Sequence, residues 1–254
     1  MKPPKLPILL FGLLILSIPL RSQEATDNPA TVIMQKVIER MKINEELKHK
    51  HLNFKKHYVE TKVDDLIKPK KIKIETDQVI EVRPPKGDEF LILEDGEVKN
   101  KKQTGNGQFE KIMNALSILF NYEMAEPTED CPTCPLMSKG GKAYMVINFR
   151  AKGNVKTNGD DVKEIMNRSA GKIYIDIEGL YVQRFESNLT NSYERGWGIF
   201  QLKQADSILE QNEINTPEGK IIVVTSSSIR YRYFLFGEKA GIRSWTYGDY
   251  NYVP

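Results

Sequence analysis

The stretch that decides the fold is GKIYIDIEGLYVQRFE, residues 171–186. Apolar and polar side chains alternate on both sides of Glu178-Gly179, a dipeptide that favours a tight turn. Such alternation is typical of antiparallel strands that bury one face and expose the other. The stretch therefore predicts a β-hairpin, and the rest of the chain is interpreted outward from it.

Downstream of this hairpin, the same alternation continues to the end of the chain. A second strand pair is predicted to turn at Pro217-Glu218-Gly219, and the last segment is rich in aromatic residues. Among them are Tyr231, Tyr233 and Trp245. Aromatic residues at strand positions either pack in the core or line a concave apolar face that holds a ligand, and the sequence leaves both interpretations open.

Upstream, strands and helices are mixed. Apolar residues at three- and four-residue steps predict helices over residues 30–48 and 108–124, and a short helix is expected at 161–166. Alternating segments between residues 51 and 103 predict further strands, with a hairpin turn at Asp95-Gly96. Early helices followed by a long run of antiparallel strands indicate an α+β fold rather than a parallel one.

The first 22 residues have the pattern of a signal peptide. Lys2 and Lys5 precede the uncharged apolar run LPILLFGLLILSIPL, residues 6–20. This run is shorter than the roughly 20 residues that cross a bilayer. We predict cleavage near Ser22 and a periplasmic or secreted protein with no membrane span after cleavage. The alternative is an uncleaved anchor, since Leu20 fits a cleavage site poorly.

Charge argues against nucleic-acid binding. The chain has 37 Lys and Arg against 34 Asp and Glu. Three of the basic residues, Lys2, Lys5 and Arg21, lie in the predicted signal peptide, so the mature chain carries equal numbers of both signs. Nucleic-acid-binding domains usually carry a clustered basic excess. The basic run KPKKIKIE, residues 68–75, suggests either an anionic surface partner or a solvated face. Strand alternation puts Lys71 and Lys73 opposite Ile72 and Ile74 and favours the solvated face.

The two cysteines, Cys131 and Cys134, occur as DCPTC. Three roles fit that spacing: a thiol–disulfide redox centre, part of a metal site, or a disulfide that staples a loop. Redox chemistry favours a helix directly after the motif, but Gly140-Gly141 would interrupt one. A tetrahedral zinc site needs more ligands than two cysteines supply. In an exported protein the pair predicts a loop disulfide and no metal.

No other residue pattern predicts catalysis. Asp176 and Glu178 are two apart, as paired carboxylates on one strand face would be, but acids beside a hairpin turn commonly serve solubility. Ser226, Ser227 and Ser228 lack the glycine-flanked elbow of a hydrolase nucleophile. The sequence therefore predicts no catalytic residues, no cofactor and no enzyme activity.

The hairpin resembles one family. It fits the pattern G-x-[IL]-[WY]-[IV]-D-x5-[VI]-x-[RK] of exported relatives of the LolA/LolB-like, or outer-membrane lipoprotein-sorting, superfamily, with matching residues Gly171, Ile173, Tyr174, Ile175, Asp176, Val182 and Arg184. The resemblance implies an antiparallel β-sheet curled into an open half-barrel covered by helices, with acyl chains or other hydrophobic ligands held between sheet and helices. It also implies that the apolar helix faces are lid or core residues.

These observations lead to one function and one alternative. We expect residues 23–254 to form a single domain that binds or carries a hydrophobic or acylated ligand, a lipid or lipoprotein, in the cell envelope. The candidates for its groove are Val37, Ile38, Met41, Ile112, Met113, Leu116, Tyr231, Tyr233 and Trp245. The alternative is an envelope protein-interaction module whose half-barrel is filled by its own side chains and carries no lipid.

Overall fold

The computed structural model describes residues 28–103, 108–139, 141–153, 155–156, 159–196 and 198–254. The predicted signal peptide, residues 1–22, lies outside the described residues. The helices and strands are α1 (Pro29–His51), β1 (Leu52–Val63), β2 (Ile72–Arg83), β3 (Asp88–Glu94), β4 (Glu97–Gln103), α2 (Gln108–Ile118), β5 (Phe120–Met124), β6 (Leu136–Lys139), β7 (Lys142–Ala151), α3 (Asp161–Met166), β8 (Ser169–Asp176), β9 (Tyr181–Leu189), β10 (Tyr193–Arg195), β11 (Phe200–Thr216), β12 (Gly219–Phe234) and β13 (Glu238–Tyr252).

Within the described residues, the strands form one 13-stranded sheet in the order β4-β3-β2-β1-β13-β12-β11-β9-β8-β7-β5, with β10 beside β11 and β6 beside β7. Every pairing is antiparallel. Strands β1 to β4 follow one another toward one edge of the sheet. β5 lies at the opposite edge, and the later strands follow from there toward the centre. The last strand, β13, joins these two series of strands by pairing with both β12 and β1. Since β4 and β5 remain as separate edges, the sheet is open.

α1 begins and ends at residues that suit a helix boundary. The Asn28 side-chain oxygen accepts a hydrogen bond from the Ala30 amide at 3.0 Å, and Pro29 occupies the first turn. The Asn28 amide nitrogen also donates to the carbonyl of Tyr122 at 2.8 Å, which ties the start of the helix to β5. At the other end the chain passes directly into β1. The predicted helix at residues 30–48 is therefore confirmed and slightly longer.

α2 is shorter than predicted. The helical spacing was expected to continue to residue 124, but the helix ends at Ile118 and Phe120 begins β5. Leu116, Leu119 and Phe120 sit at helical steps, yet Phe120 and Tyr122 also alternate with exposed residues as a strand does. The Tyr122 hydroxyl donates to the Leu116 carbonyl at 2.6 Å. This bond satisfies one of the carbonyls that a helix end leaves unpaired, so the helix stops there.

Two apolar clusters attach the helices to one face of the sheet. The larger lies between α1, α2 and strands β5, β7, β8 and β9, and its fully buried members include Met34, Val37, Ile147 and Ile173. The smaller packs Leu47, near the end of α1, against Leu52, Phe54, Val82, Ile221 and Val223. The predicted class, α+β with an antiparallel sheet curled into an open half-barrel and covered by helices, is confirmed.

The hairpin of residues 171–186 forms as predicted from β8 and β9. An added Cβ on Gly171 would lie 1.9 Å from the backbone oxygen of Glu186, so only glycine fits this close approach. At the turn, the Asp176 carboxylate accepts a hydrogen bond from the Gly179 amide at 2.7 Å. Leu180 takes the left-handed conformation, with a φ of 49°. Gly171 and Asp176 are thus both structural parts of the hairpin.

Candidate functional site

The cysteine pair is a disulfide, as predicted. The two sulfur atoms of Cys131 and Cys134 are bonded, and both residues are buried. They pack against Ala125 and Val146 in a small apolar cluster with Tyr174 at its border. Since neither sulfur is exposed, the pair holds the loop between β5 and β6 against the sheet rather than meeting a substrate thiol.

The carboxylates of the hairpin turn are arranged for structure. Asp176 is buried and holds the Gly179 amide, while the Lys142 ammonium lies 3.5 Å from its other oxygen. Glu178 is exposed in the turn. The two acids therefore do not face a common substrate position. Among the described residues, no group of three or more His, Cys, Asp or Glu side chains could hold a metal ion.

The groove candidates of the two helices lie largely in the filled core. Val37, Ile38, Met113 and Leu116 are buried in the larger cluster, and Met41 packs against it partly exposed. Ile112 is an exposed residue of α2 and is not part of this cluster. The structure thus brings five of the six together, in contact with the sheet. That they line a ligand groove stays a prediction.

The three C-terminal candidates belong to two neighbouring groups of rings that we call together the aromatic band: Tyr58 with Trp245, and Tyr231 with Tyr233 and Phe200. The ring centroids of Tyr58 and Trp245 are 5.1 Å apart. Those of Tyr231 and Tyr233 are 5.9 Å apart, and Phe200 lies 5.6 Å from Tyr233. All five side chains are partly buried. The band crosses four strands, β1, β13, β12 and β11.

Glu60 joins the two halves of the band. Its carboxylate accepts hydrogen bonds from the hydroxyls of Tyr58 at 2.8 Å and Tyr231 at 2.7 Å, and from the Arg243 guanidinium at 3.0 Å. Burial acts to raise the pKa of Glu60, but these three donors outweigh it and the pKa is lowered from 4.5. Burial and the bond to Glu60 raise the pKa of Tyr58 to about 12. Both tyrosines therefore stay neutral donors at neutral pH.

Cations lie over the band, which gives it an amphipathic character. The Arg243 guanidinium is 5.2 Å from the Tyr231 ring centre, and the Lys239 ammonium is 5.9 Å from that of Tyr233. Gly241 makes room for the Tyr231 ring, because an added Cβ there would lie 2.5 Å from its hydroxyl oxygen. The arrangement places positively charged groups beside apolar ring surface.

The band lies on the helix side of the sheet, beyond the part that α1 covers. In β1, Phe54 packs in the smaller cluster with Leu47 of α1. Tyr58 is four residues further along the strand, so its side chain lies on the same face as that of Phe54. α1 is fixed there by Asn44, whose side chain bonds both the amide and the carbonyl of Ile222 at 2.7 and 2.8 Å. The helix thus ends over β12 and β1 before the band begins.

The sequence identified only part of the band. Tyr58, Glu60 and Phe200 were not singled out, because their contact with Tyr231, Tyr233 and Trp245 depends on which strands pair. The signal that was present is the alternation in NFKKHYVET, residues 53–61, which places Tyr58 on the face of Phe54. The pairing of β1 with β13, the last strand, required the structure.

A polar cleft of about 670 Å³ lies on the opposite face of the sheet. Its polar residues include Asn148 and Arg150, which alternate along β7 with the core residues Ile147 and Phe149. Lys172, Glu186 and other charged or amide side chains make up most of the rest. Most of the lining side chains are thus polar, and Phe149 and Ile208 contribute apolar surface. Across the described residues, no helix is both long and apolar enough to span a membrane.

No protein-family model and no curated protein matches the chain. Solved structures that match include a LolA superfamily protein from Nitrosomonas europaea, at 10% identity and a TM-score of 0.37, covering 89% of this chain and 94% of that one. A DUF1329 family protein from Desulfovibrio piger matches at 10% identity and a TM-score of 0.35, covering 89% of this chain and 93% of that one. The MucA/MucB complex of Pseudomonas aeruginosa matches at 7% identity and a TM-score of 0.24, covering 87% of this chain and 94% of that one. The first names the superfamily that the hairpin resembles, and the likeness concerns the fold alone.

Proposed function

We propose that this protein is a non-enzymatic binding protein of the cell envelope that holds a hydrophobic or acylated ligand against the aromatic band. In this proposal the first 22 residues are a cleaved signal peptide, and residues 23–254 act in the periplasm or outside the cell as one domain. The ligand is a lipid or a lipid-modified protein. The band, uncovered by α1 on the helix side of an open sheet, is the observation that supports it.

The physical argument for ligand binding is that the rings of the aromatic band are only partly buried in the folded protein. Burying apolar area yields roughly 25 cal/mol per Å², and each aromatic side chain of the band still has area to bury. An acyl chain lying along Trp245, Tyr231 and Tyr233 would cover that area. Lys239, beside the rings, would then face an anionic head group.

A second candidate function is favoured by the filled core under the helices. Met34, Val37, Ile38, Met113 and Leu116 close the space between α1, α2 and the sheet with their own side chains. A half-barrel filled in this way suits a protein-interaction module without lipid cargo. In that case the band would be a contact surface for another envelope protein.

The two candidates are separated by tryptophan quenching. Trp245 is the only tryptophan of a Trp197→Phe variant, since the chain has two. We expect 9,10-dibromostearate, a fatty acid that quenches tryptophan on contact, to quench Trp245 saturably. Tyr231→Ser combined with Tyr233→Ser should weaken binding about tenfold, since two rings leave the apolar surface.

Two controls make this result specific. Tyr231→Phe keeps the ring but loses the hydroxyl that bonds Glu60, so it should retain binding if the ligand contacts apolar surface. Tyr252→Ser alters a tyrosine whose hydroxyl bonds Glu218 at the other end of β13, and it should not change binding. Absence of saturable quenching in a folded protein would refute lipid binding at the band and favour the interaction module.

A further inference from the structure

Three connections come together at one end of the sheet, which we call the loop end: β1–β2 (residues 64–71), β12–β13 (235–237) and the described part of β10–β11 (196 and 198–199). Their proximity follows from the strand pairing. Val63 pairs with both Ile72 and Ala240, and Phe234 pairs with both Glu238 and Gln201. All three connections therefore extend from the same end of six neighbouring strands, β2, β1, β13, β12, β11 and β10.

Each connection carries a large apolar side chain that is exposed to solvent. Ile67 is 84% exposed, Phe236 is 89% exposed and Ile199 is 53% exposed. Ile72 and Ile74, at the start of β2, are also exposed. The sequence had suggested that these two isoleucines form a face distinct from the solvated lysines, but the structure exposes both faces. Several large apolar side chains exposed at one end of a molecule are typical of a binding surface.

The same end is rich in lysine. Lys68, Lys70 and Lys71 have no carboxylate within 4 Å among the described residues. Lys71 and Lys239 also line a small cleft of about 260 Å³ between the β1–β2 connection and the start of β13. Lys62, Lys73, Asp64 and Glu238 line it as well, and Lys62 and Lys73 lie beside Glu75, so Lys71 and Lys239 are the ammonium groups that the cleft offers to an anionic group.

The acids of the loop end already have partners. The Asp64 carboxylate accepts from the amides of Lys70 and Lys71, each at 3.0 Å, and Asp65 accepts from those of Ile67 and Lys68, each at 2.8 Å. These four bonds fix the β1–β2 connection in the shape that projects Ile67.

Two more acids of this end are paired with lysines. Glu75 lies 3.1 Å from the Lys73 ammonium and 3.5 Å from that of Lys62. Glu238 lies 2.5 Å from the ammonium of Lys203. The lysines of the β1–β2 connection are thus left to meet an external anion.

We infer that the loop end docks onto the surface of an anionic lipid bilayer, with Ile67, Phe236 and Ile199 entering the interface and the lysines contacting head-group phosphates. Peripheral membrane binding needs this combination of apolar side chains and basic residues. The alternation of three exposed isoleucines with four lysines over residues 67–74 supplies both. A second copy of this chain fits less well, because two lysine-rich ends would repel each other.

Docking would also orient the aromatic band. Tyr233 and Phe200 belong to the strand ends from which two of the connections extend, so the band begins at the loop end. A docked molecule would present the band to the bilayer, where an acyl ligand could enter or leave. This last consequence rests on the proposed function, whereas docking itself does not.

The test is cosedimentation of the mature protein with vesicles of equal parts phosphatidylglycerol and phosphatidylcholine, compared with phosphatidylcholine alone. We expect binding to the anionic vesicles only, weakened by salt because the Debye length shortens. Ile67→Asp with Phe236→Asp should weaken it about tenfold. Each of Lys68→Gln, Lys70→Gln and Lys71→Gln should weaken it about fivefold.

Val98→Asp is the matched control. Val98 is 82% exposed, like Ile67, but lies on the edge strand β4 away from the loop end. It should bind vesicles as the unmodified protein does. Without vesicles, the Ile67→Asp, Phe236→Asp variant should still show saturable quenching of Trp245 by dibromostearate, which separates a failure of docking from a failure of ligand binding.

Three results would overturn the inference. They are no binding to anionic vesicles, equal binding to both vesicle types, and an equal loss in the Val98→Asp variant. Sedimentation velocity adds a fourth. If the protein self-associates, and Ile67→Asp with Phe236→Asp abolishes this without any vesicle binding by the unmodified protein, the loop end is a contact between copies of the chain.

Discussion

At the residue scale, Gly171 shows how one position can fix the central hairpin. An added methyl group would lie 1.9 Å from the Glu186 backbone oxygen, and a backbone atom of a paired strand cannot move away alone. We expect Gly171→Ala to lower the free energy of unfolding by about 2–3 kcal/mol in urea titrations. Gly248→Ala is the control, because nothing lies within 4 Å of its added Cβ. Equal effects of the two variants would contradict this account.

Glu60 is the second decisive residue, and its effect depends on pH. Its pKa is lower in the folded protein than the ordinary 4.5. The carboxylate therefore contributes stability that is present above pH 4.5 and is lost as pH falls through the folded pKa. We expect Glu60→Gln to cost about 1 kcal/mol at neutral pH and progressively less below pH 4.5. The check is urea unfolding of both proteins across that range; a cost independent of pH would contradict the assignment.

At the scale of elements, α1 is attached to the sheet by few polar contacts. Asn44 bonds both backbone groups of Ile222, far away in sequence. We expect Asn44→Ala to lower the free energy of unfolding by about 1–3 kcal/mol, since two buried backbone groups lose their partner. Hydrogen exchange should become faster in the second half of α1.

Asn251→Ala provides the comparison for Asn44→Ala. Its side chain is exposed and bonds only the nearby Asp249 carbonyl, so its removal should leave stability and exchange in α1 unchanged. Unchanged exchange in α1 of the Asn44→Ala variant would show that the apolar clusters alone hold the helix.

The elements also show what the sequence can and cannot predict. Local signals placed α1, the short α3, the turns at Asp95-Gly96 and Pro217-Glu218 and the disulfide, because each depends on residues close together in the chain. The end of α2 was predicted wrongly, since Leu116 and Phe120 fit both the helical and the strand period. Strand order could not be predicted, because the pairing of β1 with β13 joins residues almost two hundred positions apart.

At the scale of the whole molecule, the two faces of the sheet differ in chemistry. The helix side carries the filled core and then the aromatic band, whereas the other side carries the polar cleft. The groove candidates from the helices and those from the C-terminal strands therefore lie in different surroundings. Tyr231, Tyr233 and Trp245 remain partly exposed, while Val37 and Ile38 are buried.

The central claim is that the uncovered band holds an acyl ligand. The measurement that tests it most directly is native mass spectrometry of the protein exported to a bacterial periplasm, before and after solvent extraction. We predict an added mass that extraction removes, with acyl species in the extract, and a much smaller adduct for Tyr231→Ser with Tyr233→Ser. A protein of unmodified mass that also fails to take up fatty acid would contradict the account.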